Sequence, residues 1–223
     1  MKIDKIVKIF NQKAEGYDNE EIEKFRRLFV ENIIEEINLN AEDIVIDIGT
    51  GTGALAIPLA KKVKKVIAID ISKKMLEIAR MKAEKEGICN IEFKHDNFLN
   101  SHINECSVDL IVSNLALHHL SNKNKEKAIK IMRKILKKDG KVIIGDIMFF
   151  FNPNKEPKKL AFIKKIIERL FPNSAYSLIS ALNNEHPSQT KDLKLLFEKN
   201  GFCTKVKMFL PILGIIYAVH KRF

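Results

Sequence analysis

The chain has 223 residues, 46% of them apolar and 30% charged, with a formal net charge of +11. That is apolar content enough for one full core, and it excludes a disordered or collagen-like chain. No run of about 18 apolar residues appears and the first residues lack a signal peptide's apolar stretch, so no membrane span and no secretion are expected.

Three Cys, at the scattered positions 89, 106 and 203, argue against a disulfide framework or a zinc site. A reduced, cytoplasmic protein without a metal is expected. The charge is uneven, because residues 151–223 hold 13 basic and 5 acidic side chains. A basic final third attracts nucleic acid or an anionic substrate, and Lys-rich solvated helix faces give the same pattern. Nothing in the pattern assigns an oligomeric state.

The elements alternate along the chain. Glu21 to Ile37 carries Ile22, Phe25, Leu28, Phe29, Ile33, Ile34 and Ile37 at helical spacing. Ile44 to Ile48 is a β-branched run that ends in glycines, and Ala54 to Lys62 reads as a helix. Val66 to Asp70 is a second strand, followed by a helix capped by Ser72 and stopped at Gly87. Ile91 to Lys94 and Val108 to Asn114 are strands, Lys125 to Lys137 is a helix closed by Asp139-Gly140, and Lys141 to Asp146 is a fifth strand. Such alternation means a parallel sheet with helices on both faces.

The end of the chain differs. After a helix at Lys191 to Lys199, Phe202 to Leu210 and Ile212 to His220 are strands joined by a link at Pro211 too short for a parallel crossover. They are expected to be antiparallel neighbours. Residues 147–190 read as a lid or substrate insertion outside the sheet, and residues 1–40 as an N-terminal helical cap on a single domain spanning 1–223.

Asp47-Ile48-Gly49-Thr50-Gly51-Thr52-Gly53 lies where the first strand turns into the first helix. Glycines there let backbone approach a ligand, and Gly49, Gly51 and Ala54 also satisfy the dinucleotide pattern. Asp70, ending the second strand, is placed to accept from ribose hydroxyls. Both observations leave a nicotinamide dinucleotide open. Asp47 favours another ligand: a carboxylate before the glycines repels a pyrophosphate and welcomes the cationic amino-acid tail of S-adenosylmethionine.

With these motifs on the page, the chain resembles the class I S-adenosylmethionine-dependent methyltransferases. The resemblance rests on VIDIGTGTGALAIPLA, VIAIDISKKMLEIAR, IEFKHDNFLN, VDLIVSNLALHHL and LKKDGKVIIGD, which in order and spacing cover residues 44–146. It implies a seven-stranded Rossmann-like sheet, mostly parallel with an antiparallel last strand. Gly49, Gly51 and Gly53, with Thr50 beside them, would line the methionine moiety, and Asp47 would lie near its ammonium. Asp70 would hold the ribose, with Ile71 on the adenine. Asp96 would accept from the adenine amino group, flanked by Asn97 or Phe98. Ser113 and Asn114 would lie near the sulfur, and Tyr17 would close the site.

Methyl transfer to a small molecule is the expected reaction, with an NAD-dependent oxidoreductase and an RNA methyltransferase using the basic final third as alternatives. Transfer is an in-line displacement at a sulfonium carbon, so alignment and exclusion of water come first. A base is needed only for a protonated, weakly acidic acceptor, and His118, His119 and His186 are the candidates. His119 is the first choice, because His118 points elsewhere if the chain there is still extended. Asp146 is expected to orient a substrate group or a helix end. The segment 147–190 is expected to wall the substrate pocket, with Met148, Phe149, Phe150, Phe151, Phe162, Phe171 and Tyr176 supplying apolar surface, most of it packed as the core of the lid and not against the substrate.

Overall fold

The structure, a computed structural model, describes residues 3–18, 30–35, 37–100, 102–170, 172, 179, 180, 182, 183, 185–210 and 212–221. The strands are β1 (Ile44–Ile48), β2 (Lys65–Asp70), β3 (Ile91–His95), β4 (Val108–Asn114), β5 (Leu136–Phe149), β6 (Ser188–Gln189), β7 (Phe202–Leu210) and β8 (Leu213–His220). The labelled helices are α1 (Ile3–Lys13), α2 (Ala56–Ala60), α3 (Lys73–Lys85), α4 (Asn122–Ile135), α5 (Pro157–Leu170) and α6 (Thr190–Lys199).

The sheet runs β3-β2-β1-β4-β5-β8-β7, with the two-residue β6 paired to β5 off this path. β8 is antiparallel to both β5 and β7, and the remaining neighbours on the path are parallel. The expected seven-stranded sheet with an antiparallel last strand is therefore present, with one short extra pairing.

Alternation in the strands explains the two cores. Val45, Val66, Leu110, Val112 and Ile143 pack on one face with Leu55, Leu59 and Ile33. Ile46, Ile69, Ile111, Val142 and Ile144 pack on the other with Ile129 and Met132 of α4 and Phe197 of α6. A period of two sends neighbouring apolar side chains to opposite faces, so a strand buried on both reads as one continuous apolar run. Within that run Asp47, 1% exposed, is the exception that needs a reason.

Several boundaries move. The Glu21 to Ile37 helix falls largely outside the described residues, but 30–35 are helical, with Val30 and Ile33 buried. The helix after the glycines is only Ala56–Ala60, since Thr50 to Leu55 form turns. α4 stops at Ile135, and β5 starts at Leu136 opposite Val108. Its next partner pair is Leu110 with Lys141, so Lys137 to Gly140 loop out as an irregularity.

The segment 147–190 is not wholly outside the sheet. Ile147 pairs with Leu213, and Met148 and Phe149 pair with Ser188 and Gln189. The aromatic run after Asp146 continues β5 because Met148, Phe149 and Phe151 are buried in the core.

Chain order places the site. From β1 the chain moves outward through β2 and β3, then returns to β4 on the other side of β1. The crevice beyond the carboxyl ends of β1 and β4 is the switch point where open α/β sheets bind ligands.

Candidate active site

Three backbone turns leave the carboxyl ends of β1, β2 and β4 and meet there. After β1, Gly49, Gly51 and Gly53 all have positive φ, at 72°, 55° and 85°. They differ in what they face. A Cβ on Gly49 would sit 2.5 Å from the Ala116 Cβ, so this glycine lets the turn after β4 close in. On Gly51 a Cβ would meet only Tyr17 Cε1, at 3.9 Å, because the space beside it is open cavity. A Cβ on Gly53 would press on Ile57 and Ala79 at 3.0–3.3 Å. Gly53 is thus a packing glycine and lines neither cavity, contrary to the sequence expectation.

Asp70 holds the loop from β2. Its two carboxylate oxygens accept from the Gly51 N–H at 2.8 Å and the Ser72 N–H at 2.7 Å. Burial raises its pKa, and these two donors oppose the rise. Asp47 lies deeper, accepting from Thr50 Oγ1 at 2.7 Å. Burial raises its pKa to about 7, only partly offset by Thr50. Ionising it costs on the order of 4 kcal/mol more than in water. A cation bound beside it would offset that cost.

The main cavity is lined by Gly49, Gly51, Asp70, Ile71, Asp96, Asn97, Phe98, Ser113 and Asn114, all expected from the sequence. A smaller recess next to it holds Asp47 and Thr50 and shares Tyr17, Gly49, Gly51 and Asn114 with the first. Asn114 Oδ1 is buried without a hydrogen-bond partner, an acceptor that calls for a donor from a ligand. Ser113 is turned inward, donating to Ile48 O at 2.7 Å. Asp96 Oδ1 accepts from Asn97 N at 2.7 Å, which rigidifies the turn after β3.

The roof comes from the N-terminus. Ile6 and Phe10 of α1 and Tyr17 line the cavity. Asn11 accepts from Ser72 Oγ, and Asp18 accepts from Thr52 Oγ1 and pairs with Lys82. Among the described residues, none of the expected aromatic wall lines the cavity: Phe149 and Phe151 are buried in the core, and Phe150 and Phe162 are exposed; Phe171 and Tyr176 lie outside the described residues.

The histidines separate. β4 ends at Asn114, Leu115 takes φ 53°, and Leu117–His119 is a 3-10 turn rather than extended chain. His119 lines the cavity, edge-on to Phe10 at 5.1 Å between centroids. His118 turns away, its Nδ1 2.5 Å from Asp146 Oδ1. Asp146 therefore orients an imidazole, not a substrate group or a helix end. His186 is exposed and does not line the cavity; its backbone N–H donates to His118 O at 2.9 Å.

Glu185 was not singled out by the sequence, although it adjoins His186. Its Oε2 lies 2.8 Å from His118 Nε2 and 2.9 Å from His119 Nδ1. Burial works against the charge of His118, but Asp146 and Glu185 overcome it and hold its pKa at about 9. Burial and the neighbouring His118 charge lower that of His119. The two imidazoles hold Glu185 well below the usual carboxylate range despite its burial.

Comparison with known proteins agrees with this geometry. The family described as "Methyltransferase domain" matches residues 45–140. An uncharacterized methyltransferase of Oceanobacillus iheyensis is 31% identical over 217 residues, covering 95% of this chain and 96% of its own. The chain belongs to the class I S-adenosylmethionine-dependent methyltransferases. A second methyltransferase, from Staphylococcus carnosus, is 32% identical over 84% of this chain and 86% of its own.

Solved methyltransferases share the fold. Magnesium protoporphyrin IX methyltransferase of Synechocystis PCC 6803, with S-adenosylhomocysteine bound, superposes with a TM-score of 0.74 at 19% identity, covering 99% of this chain and 100% of that one. A putative methyltransferase of Methanococcus maripaludis gives 0.69 at 22% identity, covering 96% and 93%. The cofactor of this methyltransferase is S-adenosylmethionine, and the dinucleotide alternative falls. Open space at Gly51, the unpartnered Asn114 Oδ1 and the buried Asp47 fit that cofactor, because each suits its amino-acid end.

Proposed function

We propose that the enzyme methylates a small molecule held against His119. The observation that carries this reading is the roof of Ile6, Phe10 and Tyr17 over a largely apolar cavity, which suits a compact acceptor better than a polymer. Bound S-adenosylmethionine supplies an activated methyl on a sulfonium. Asp47 and Asn114 would hold its amino-acid end, Asp70 its ribose, and Asp96 its adenine between Ile71 and Phe98. The α1 roof would keep water out. His119 is the side chain we assign to the acceptor's nucleophile, directly or through an ion held beside it. His118 and Asp146 position it. Three exposed, unpaired thiols suit a reducing compartment, and we place the reaction in the cytoplasm.

Incubating the enzyme with methyl-tritiated cofactor and cell extract tests the acceptor class. Label should pass into the ultrafiltrate. Label confined to RNA would establish the alternative built on the basic final third.

Two outcomes are expected for the cofactor. Asp70→Ala should weaken S-adenosylhomocysteine binding by about 1–3 kcal/mol, since it leaves ribose hydroxyls unpaired and also frees the Gly51 N–H. Isothermal titration reads the loss, and wild-type affinity would remove the assignment. The second concerns pH. Free Asp47 is protonated below about 7 and ionised above it. Its raised pKa makes the free protein lose stability as pH rises through that value. A cationic ligand needs the carboxylate, so binding must release the proton. Affinity should fall as pH drops through about 7, approaching tenfold per unit, while the ligand's own ammonium stays charged. Asp47→Asn should bind more weakly and flatten the profile; an unchanged profile would place the ammonium elsewhere.

A further inference from the structure

Behind the His119 wall, two imidazoles and a carboxylate converge on one point. Among the described residues, His118, His119 and Glu185 form a set whose donor atoms all lie within 4.8 Å of one another. Direct pairing satisfies them poorly. Glu185 Oε2 and His119 Nδ1 are both buried without an aligned hydrogen-bond partner, although they lie 2.9 Å apart. Buried polar atoms rarely stay so. A cation between the three donors would satisfy all of them.

We propose that His118 Nε2, His119 Nδ1 and Glu185 bind one divalent first-row transition ion of the zinc type, with Asp146 as its outer partner. Two His and one Glu with a fourth position left over is the donor set of open, catalytic zinc sites. Two imidazoles disfavour magnesium or calcium, which take oxygen donors. Neighbouring donors in a tetrahedral site lie about 3.3 Å apart for bonds of about 2.0 Å. The two separations from Glu185, 2.8 and 2.9 Å, need to open by a few tenths of an ångström, and the two imidazole nitrogens already lie within 4.8 Å of each other.

Asp146 supplies the second half of the argument. Its Oδ1, 2.5 Å from His118 Nδ1, holds the proton on that ring nitrogen, so that an ion entering beside Glu185 would displace only the Nε2 proton and take up the lone pair it leaves. Carboxylate support of a ligating histidine is the usual outer partner of such sites. The third ligand is held as firmly. Lys125, buried on α4, donates to His186 O and to Ser188 Oγ, and His186 N–H donates to His118 O. The loop carrying Glu185 is thereby clamped to the turn carrying both histidines. The sequence expectation of no zinc site rested on the scattered cysteines, and this site uses none of them.

This inference rests on the acceptor lying at His119, where an ion lowers the pKa of a hydroxyl or thiol bound to it. The test uses the full chain without a polyhistidine tag, with Cys89, Cys106 and Cys203 changed to Ser and the protein stripped by chelator. Calorimetry with Zn²⁺ and visible absorption with Co²⁺ should show one equivalent per chain and four-coordinate cobalt bands. Glu185→Gln should lose the stoichiometric uptake while keeping its circular dichroism. Asp146→Asn should keep one equivalent but bind about 10–100-fold more weakly. A stripped chain that takes up no stoichiometric ion overturns the proposal, as does Glu185→Gln binding Zn²⁺ as tightly as the parent. S-adenosylhomocysteine binding to the stripped chain, measured in parallel, tests the cofactor reading separately.

Discussion

Gly51→Val should give a folded protein that no longer binds S-adenosylhomocysteine. At this position the chain has φ 55°, which a β-branched residue adopts at a cost of about 1–3 kcal/mol, so some loss of thermal stability is expected. A Cβ at this position meets no closer side chain than Tyr17 Cε1, at 3.9 Å. The isopropyl group would instead occupy the cavity in the space assigned to the methionine end. Overlap of that kind should cost at least about a hundredfold in affinity, or roughly 2.7 kcal/mol. Gly53→Ala provides the contrast. Its Cβ would press on Ile57 Cδ1 at 3.0 Å, so it should lower stability through packing and leave affinity in the folded fraction near wild type. Calorimetric binding and thermal melts of the two variants separate these outcomes. A Gly51→Val protein that melts cooperatively and binds normally would mean that the loop is not the cradle.

His119→Ala should lower kcat by about 10²–10⁴ while changing S-adenosylhomocysteine affinity only a few-fold, whether the imidazole meets the acceptor itself or through an ion. The ring is at the cavity surface, and its loss leaves the turns around Asp47 and Asp70 intact. His118→Ala should fail differently. It would leave the buried Asp146 without its imidazole and Glu185 with His119 alone, a defect of about 3–5 kcal/mol that should appear first in the melt. His186→Ala should be nearly silent in both measurements, since it is the backbone of His186 that does the holding. Equal rates for wild type and His119→Ala, once the acceptor is known, would leave the reaction to alignment alone.

The sheet and the cofactor side of the site were legible in the sequence because their signals are local. Short β-branched runs gave β1, β2 and β4, and a carboxylate directly before the glycines argued for a cationic ligand. Side chains from separate strand ends, such as Ile71, Asp96 and Ser113, come together in one cavity because all lie at or just beyond the ends of strands that finish at the same edge of the sheet. The failures are non-local. Gly53 resembles Gly51 in sequence, and only the packing of Ile57 and Ala79 distinguishes them. Glu185 reaches the histidines across more than 60 residues of chain, and no spacing rule links them. The apolar run 148–151 fits a core and a pocket wall alike, because either use needs the same side chains. Alternation along β5 could have assigned Met148 to one buried face and Phe149 to the other.

The reversed strand also bears on how the molecule assembles. β8 lies between β7 and β5, so β7 joins the sheet only through it. The β7–β8 pair closes across a short turn, whereas β8 meets β5 through partners such as Lys141 and Val219, far apart in sequence. Local hairpins form within microseconds and distant pairings wait on loop closure. The hairpin should therefore form early and dock late, as a unit, against an edge already presented by β5. Asp146 stands opposite Gly214 in that docking register. Until the hairpin arrives, the carboxylate behind His118 lies on an unpaired edge, and the cofactor half of the crevice can be complete while the acceptor half is still being built.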